Sequence, residues 1–448
     1  MSNEQNKDFA AMLTGWLRSG WSGFCKGAAW LWKKIRSSKA VMASLISILI
    51  GMVVGSIIIL ISGLTSETLG AKTAWEGIQL VFAGLFSTGR DASGALTFGF
   101  NPQLMGNMLF RAMPLIMTGL SVALAQKTGL FNIGAPGQYL MGTAATLFIA
   151  LSLPTGTGEM LQRVDLSWAN YMEAMGVVGQ QTYPAWLVWT LAFLGGMMAG
   201  AIWGAIPGML KALLNINEVL ACIMTNWIAA NMVTWAFDMA NLKNVVENTK
   251  TGYIYKTTFN GVQTSKLGLD EIFPGSQVSG GIIIAIVLAV LVLILLNKTT
   301  FGYELKACGL NKNAAKYAGI NEKKNIVLSM TIAGALAGLG AGLFYLSGSK
   351  EWEPLVSTAL PAAGFNGISV ALLASSNPIG CIFSALFIAH ITIGGGFMDA
   401  SIFPGEVSDI ISGVVIYLCA FSLLFKTAIT KFFAGKPKAA ESGKEAKG

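Results

Sequence analysis

Charge is scarce in this chain. Only 12% of its 448 residues are Asp, Glu, Lys or Arg, 54% are apolar, and the mean hydropathy is +0.61. That balance excludes an ordinary soluble domain. Histidine is nearly missing, and the single His390 cannot furnish a histidine-based triad or a multi-histidine metal site. The five cysteines, Cys25, Cys222, Cys308, Cys381 and Cys419, show no CxxC spacing, so neither a metal nor a disulfide framework is indicated. No G-x-x-x-x-G-K-[ST] string occurs, which removes ATP hydrolysis by a phosphate loop. Gly338, Gly340 and Gly342 fail to complete a dinucleotide fingerprint because Leu343 fills the last place. The expectation is a chain that is not an enzyme and carries no metal or cofactor of its own.

Long apolar runs stand in place of these features. They lie near 40–63, 105–125, 136–153, 184–207, 216–236, 278–296, 326–347, 357–375, 380–397 and 407–425. About 20 apolar residues span about 30 Å of hydrocarbon as a helix. The runs therefore predict an all-α polytopic integral membrane protein with about ten transmembrane helices, the third, eighth and ninth being short or broken by Gly and Pro. The first run follows a 39-residue leader and is too long for a signal-peptide core, so it is expected to remain as a span.

Lys and Arg placement sets the orientation. Residues 1–39 hold seven basic and two acidic residues, and both 426–448 and 297–325 hold six Lys against two Glu. The segments 64–104, 154–183 and 237–277 carry net charges of −1, −2 and 0. Both termini and the 297–325 loop are thus expected in the cytosol, with the other three segments outside. The chain divides into a basic leader (1–39), a membrane domain (40–425) and a basic tail (426–448). In the leader, Trp16, Leu17, Trp21, Trp30 and Trp32 interleave with Arg18, Lys26, Lys33 and Lys34, as in an amphipathic helix lying in the headgroup layer. The overall charge of +8 reports membrane orientation, and nothing supports a nucleic-acid partner.

Within the spans, Gly196, Gly200, Gly204 and Gly208 recur every fourth residue, as do Gly334, Gly338 and Gly342. Each set lines one helix face and lets backbones approach closely, for static packing or for sliding. Polar residues at membrane depth are costly and mark candidate paths. Asn226, Trp227 and Asn231 share one span. Asn132 and Gln138 flank Gly134, Pro136 and Gly137, where the backbone is expected to break and free its polar groups. Asn366 stands in a similar late string, AAGFNGIS. Uncharged amides beside an aromatic suit a polar, ring-containing solute better than an ion. The alternative is that amides hold helices together, at about 0.6 kcal/mol per bond. Arg111 and His390 rank below these, since Arg111 can snorkel to the outer interface.

The basic loop carries a helix signature of its own. Asn311 suits an N-cap, Lys312 to Ala318 reads as about two turns and Gly319 suits the position after the C-cap. Its Ala314, Ala315, Tyr317 and Ala318 offer a small-residue face for another protein.

Five strings carry a resemblance: GLFNIGAPGQYLMG (129–142), INEVLACIMTNWIA (216–229), GYELKACGLNKNAAKYAGI (302–320), MTIAGALAGLGAG (330–342) and GFNGISVALLASSNPIG (364–380). In this order they resemble the permease subunit of bacterial ABC importers for nucleosides and simple sugars, in the branched-chain amino acid and ribose permease superfamily, and the second string resembles the purine-nucleoside branch. The resemblance implies alternating access in the bacterial cytoplasmic (inner) membrane. It also implies a substrate-binding lipoprotein, a second permease subunit in a hetero- or homodimer, and a separate ATPase subunit that binds the ATP. It places the ATPase-coupling helix within 302–320, with Gly309, Ala314, Ala315, Ala318 and Gly319 as contacts. Pro136 departs from the acid common in relatives, and Ala374, Ser375 and Ser376 stand where a Gly and a basic residue are usual. A carrier coupled to H⁺ or Na⁺ is the rival. It would need an intramembrane acid, for which Glu218 is the main candidate. A ribose-type permease is the other alternative.

Overall fold

The computed structural model describes residues 50, 52–61, 71–153, 183–240, 262–350, 352, 360–396, 413, 414 and 417. The leader with its tryptophans, the tail, the core of the outer segments 154–183 and 237–277, and nearly all of the tenth apolar run lie outside the described residues.

The described chain is mostly helical: α1 (Met52–Ile61), α2 (Ala71–Ala83), α3 (Pro102–Lys127), α4 (Ala135–Ser152), α5 (Ala185–Leu214), α6 (Glu218–Ala240), α7 (Leu269–Ile272), α8 (Gly281–Lys298), α9 (Thr300–Leu310), α10 (Lys312–Tyr317), α11 (Glu322–Tyr345), α12 (Ala362–Leu373) and α13 (Pro378–Gly395). Among the described residues, six helices are long and apolar enough to cross a membrane: α3, α5, α6 over Glu218–Ala236, α8, α11 and α13. The count of ten is not tested by these six, because most of the first and tenth runs lies outside the described residues. The third run forms the 18-residue α4, whose polar first turn dilutes its apolarity, and the eighth contains only the 12-residue α12. The segment 64–104 is also less of a loop than expected. It holds α2, a 3-10 turn (Gly84–Phe86), and a two-stranded antiparallel hairpin of β1 (Ser87–Arg90) and β2 (Leu96–Phe98).

The central post is α3. Asn101 accepts from the Leu104 N–H and Pro102 occupies the first turn, where its missing donor costs nothing. In α3's most apolar 18-residue stretch, 89% of the residues are buried, against 22% for α5. Phe110, Met113, Ile116, Met117 and Leu120 are each at most 1% exposed, so neighbours enclose this helix on every side. Pro114 lies inside the helix, and the Thr118 hydroxyl sits 2.9 Å from both the Pro114 and the Ala363 carbonyl oxygens, tying α3 to α12.

The two glycine series meet. A Cβ at Gly200 would strike the Gly334 carbonyl, one at Gly338 would strike the Gly196 carbonyl, and one at Gly204 would strike the Met330 carbonyl. Backbone therefore lies on backbone along α5 and α11, and Gly142 of α4 meets Gly338 in the same way. On another side, α2 lies on α13. The His390 ring Nε2 is 2.9 Å from the Phe82 carbonyl oxygen, and Gly84 faces Gly394 with no room for a side chain.

Candidate functional site

The turn after α3 re-enters the bundle and starts α4 from within it. Asn132, 0% exposed, organises this turn. Its Oδ1 accepts from the Gly134 N–H (3.1 Å) and from Gln138 Nε2 (3.0 Å), while its Nδ2 donates to Gln138 Oε1 (2.8 Å) and Ser121 Oγ (3.1 Å). Such mutual satisfaction is what permits buried amides and irregular backbone at membrane depth. A third amide comes from α6. Asn226 Oδ1 accepts from the Gly137 N–H at 2.9 Å, and its Nδ2 donates to the Ile133 carbonyl at 3.0 Å. Beside it, the Trp203 indole N–H donates to the Thr225 carbonyl at 3.2 Å. The structure thus brings Asn132, Gln138 and Asn226 into one closed network. Ser121, Trp203 and the Ile133 carbonyl, which sequence reasoning missed, complete it.

The other three candidates stand apart. Trp227, 46% exposed, and Asn231 lie one turn apart on the open face of α6, with Met224 and Trp235 on the same face. Asn231 Nδ2 donates to the Trp227 carbonyl at 2.9 Å, and among the described residues its Oδ1 has no hydrogen-bond partner. Asn366, half-buried on α12, has no hydrogen-bond partner for its side chain among the described residues. The α12 start is brought against the α4 start, since a Cβ on Gly364 would collide with Pro136. The two similar strings of the sequence are therefore neighbours in space. Glu218, the one acid considered within a span, forms an ion pair with Lys211 (2.9 Å) across the α5–α6 turn.

At the basic end, the 297–325 loop is two helices followed by the start of a third. Thr299, Asn311 and Asn321 cap α9, α10 and α11, accepting from the Gly302, Ala314 and Lys324 N–H groups. The sequence signature found α10 and missed α9, whose polarity and length lack a clear periodic face. Gly319 has φ +80, the left-handed geometry that closes α10. On α10, Ala314 and Ala318 are exposed and Tyr317 is 94% exposed, joined by Leu310 of α9 at 88%. Ala315, expected on this face, points inward and is 4% exposed. Gly309 packs against the α3–α4 turn, where a Cβ would strike the Lys127 carbonyl. Asn325 Nδ2 donates to Glu304 Oε2 at 2.9 Å and holds α9 on α11. Cys308 lies beneath this contact, and burial pushes its thiol pKa up. Among the described residues no cluster of His, Cys, Asp or Glu could hold a metal ion.

Three relatives are similar to this chain in sequence over most of its length. The nucleoside ABC transporter permease protein NupB of Lactococcus lactis subsp. cremoris (strain MG1363) is 33% identical over 408 residues, covering 91% of this chain and 98% of its own. The guanosine ABC transporter permease protein NupP of Bacillus subtilis (strain 168) is 32% identical over 393 residues, covering 87% and 96%. The nucleoside ABC transporter permease protein NupC of the same Lactococcus strain is 23% identical over 340 residues, covering 75% and 94%. Residues 104–420 match the family model for the permease component of branched-chain amino acid transport systems. With apolar helices of membrane length and a family match over most of its length, this chain is a multi-pass membrane protein that belongs to the branched-chain amino acid transport system permease family.

Proposed function

We propose that this chain is the permease subunit of an ABC importer for nucleosides, with purine nucleosides favoured, in the bacterial cytoplasmic membrane. The likeness to NupB and NupP supports the substrate class. A second permease subunit fits the presence in one Lactococcus strain of two relatives, NupB and NupC. A binding lipoprotein delivers the nucleoside, and a separate ATPase subunit drives alternating access through the exposed Leu310, Ala314, Tyr317 and Ala318 surface of α9 and α10.

The observation that carries the pathway is the open face of α6. Asn231 lies 13 residues beyond Glu218, about 20 Å along the helix, so its free oxygen falls deep in a hydrocarbon layer of about 30 Å. A polar group there needs a wet or protein-covered setting. Trp227 beside it offers a stacking plane for a base. By contrast, the exposed residues of α8 before its terminal Asn297 and Lys298 are Ile, Val and Leu, as lipid contact requires. Asn366 supplies a further open amide, whereas Asn132, Gln138 and Asn226 hold the wall.

The test is uptake of labelled guanosine by cells carrying the whole importer, with uridine and ribose as competitors. W227A and N231A should each reduce uptake by about tenfold, the loss of roughly 1.4 kcal/mol of binding. Guanosine uptake at wild-type levels in both variants would remove α6 from the pathway. Uptake that survives ATP depletion and stops with an ionophore would replace the importer with an ion-coupled carrier.

A further inference from the structure

The start of α4 is capped in an unusual way. Its own N-cap position is Gly134, which has no side chain to offer, and the next turn contains Pro136, which has no N–H. The Gly134 N–H goes to Asn132 Oδ1, and the Gly137 N–H goes to Asn226 Oδ1 from a different helix. Asn226 thus performs in trans the task that an Asn or Ser at the N-cap performs in cis. Both ends of its amide are used, it is 3% exposed, and a Cβ on Gly137 would come within 2.6 Å of its oxygen. No substrate atom can reach it in this arrangement.

The helix that carries this amide is loosely held. Among the described elements, α6 has substantial contact only with α4 and α5, and its opposite face is open. Among the described residues, its polar ties to the α4 start and to α5 are the two bonds of Asn226, the Trp203 bond to the Thr225 carbonyl, the Cys222 thiol contact with Asn132 Oδ1 and, at its outermost turn, the Glu218–Lys211 ion pair. Shifting α6 away from α4 must break the Asn226 bonds and leave Gly137 N–H and Ile133 C=O unpaired in an apolar setting. That makes the contact a two-state one, made or broken, and not a continuously adjustable one.

We propose that Asn226 is a positioning residue, a latch between α6 and the broken start of α4 that releases when the pathway opens. This rests on the transport reading above. Cys222, one turn before Asn226 on the same buried strip, is 0% exposed and reports the latch: its Sγ lies 3.9 Å from Asn132 Oδ1.

The experiment uses the complete importer in proteoliposomes and follows N-ethylmaleimide labelling of Cys222, resolved from the other cysteines by peptide mass. In the wild type, Cys222 should be protected at rest and labelled several-fold faster while ATP is being hydrolysed. N226A should label quickly even at rest, with Vmax for guanosine uptake down by about tenfold and KM within about twofold. N226S keeps a neutral acceptor for the Gly137 N–H, of the kind that caps helices, and should restore part of the resting protection, which separates a latch from a general loss of fold. A raised KM at unchanged Vmax in N226A would make Asn226 a substrate contact and overturn the proposal, as would equal labelling of wild-type Cys222 at rest and during turnover. Labelling at rest needs no substrate, so an error in the substrate class would silence uptake and leave this arm readable.

Discussion

Asn226 and Trp227 are consecutive residues with opposite surroundings. A helix turns about 100° per residue, so one side chain is drawn into the α4 start and the other is left on the open face. Both are visible in the sequence as unusual residues in an apolar run. What separates them is the position of Ile133 and Gly137, 93 and 89 residues before Asn226 in the chain. Backbone strain gives a second case at this scale. Ser375 and Ser376 adopt φ of 51° and 55° in the turn between α12 and α13. Ser376 is tied to Gln126 Oε1, whereas the exposed Ser375 side chain has no such tie among the described residues. S375G should therefore stabilise the protein by about 0.5 to 1 kcal/mol, seen as a higher melting temperature in detergent.

Elements show which patterns survive translation into structure. The four-residue glycine period is read directly as one helix face, and the structure supplies the partner: α5 on α11, carbonyl against Cα. G334A should cost about 1 to 3 kcal/mol, because the added methyl meets the Gly200 carbonyl and rigid backbone must give way. Loss of thermal stability in detergent, with G338A behaving alike, is the expected result. The basic loop is a partial success of the same kind. Capping chemistry located α10, because Asn311 and Gly319 act through local backbone geometry. The face of α10 was not legible, because which alanine turns inward depends on how α9 and α11 approach it. Ala315 is buried, so A315L should lower stability. Tyr317 is exposed, so Y317A should leave the fold intact and, on the proposed coupling role, weaken the contact with the proposed ATPase subunit by about 2 kcal/mol. Uptake lost at unchanged membrane abundance is the expected outcome for Y317A, and normal uptake would locate the coupling surface elsewhere.

For the whole molecule, composition was decisive about class. Scarce charge and recurrent apolar runs can be buried only as helices in a bilayer, since hydrocarbon leaves no other partner for backbone polar groups. Five short strings in order pointed to the permease family that the relatives support. Hydropathy marks the apolar runs but not how their ends are satisfied: the α4 start is met inside the bundle by the Asn132 and Asn226 side chains, and Thr118 donates to the Ala363 carbonyl at the start of α12. Membrane residence, the glycine faces and the capped α10 were thus written in local sequence, through period, propensity and capping that act over a few residues. Which amides close on one another and which remain open was decided only by the tertiary structure, because a hydrogen bond joins whichever groups the packing brings within about 3 Å, however far apart they lie along the chain.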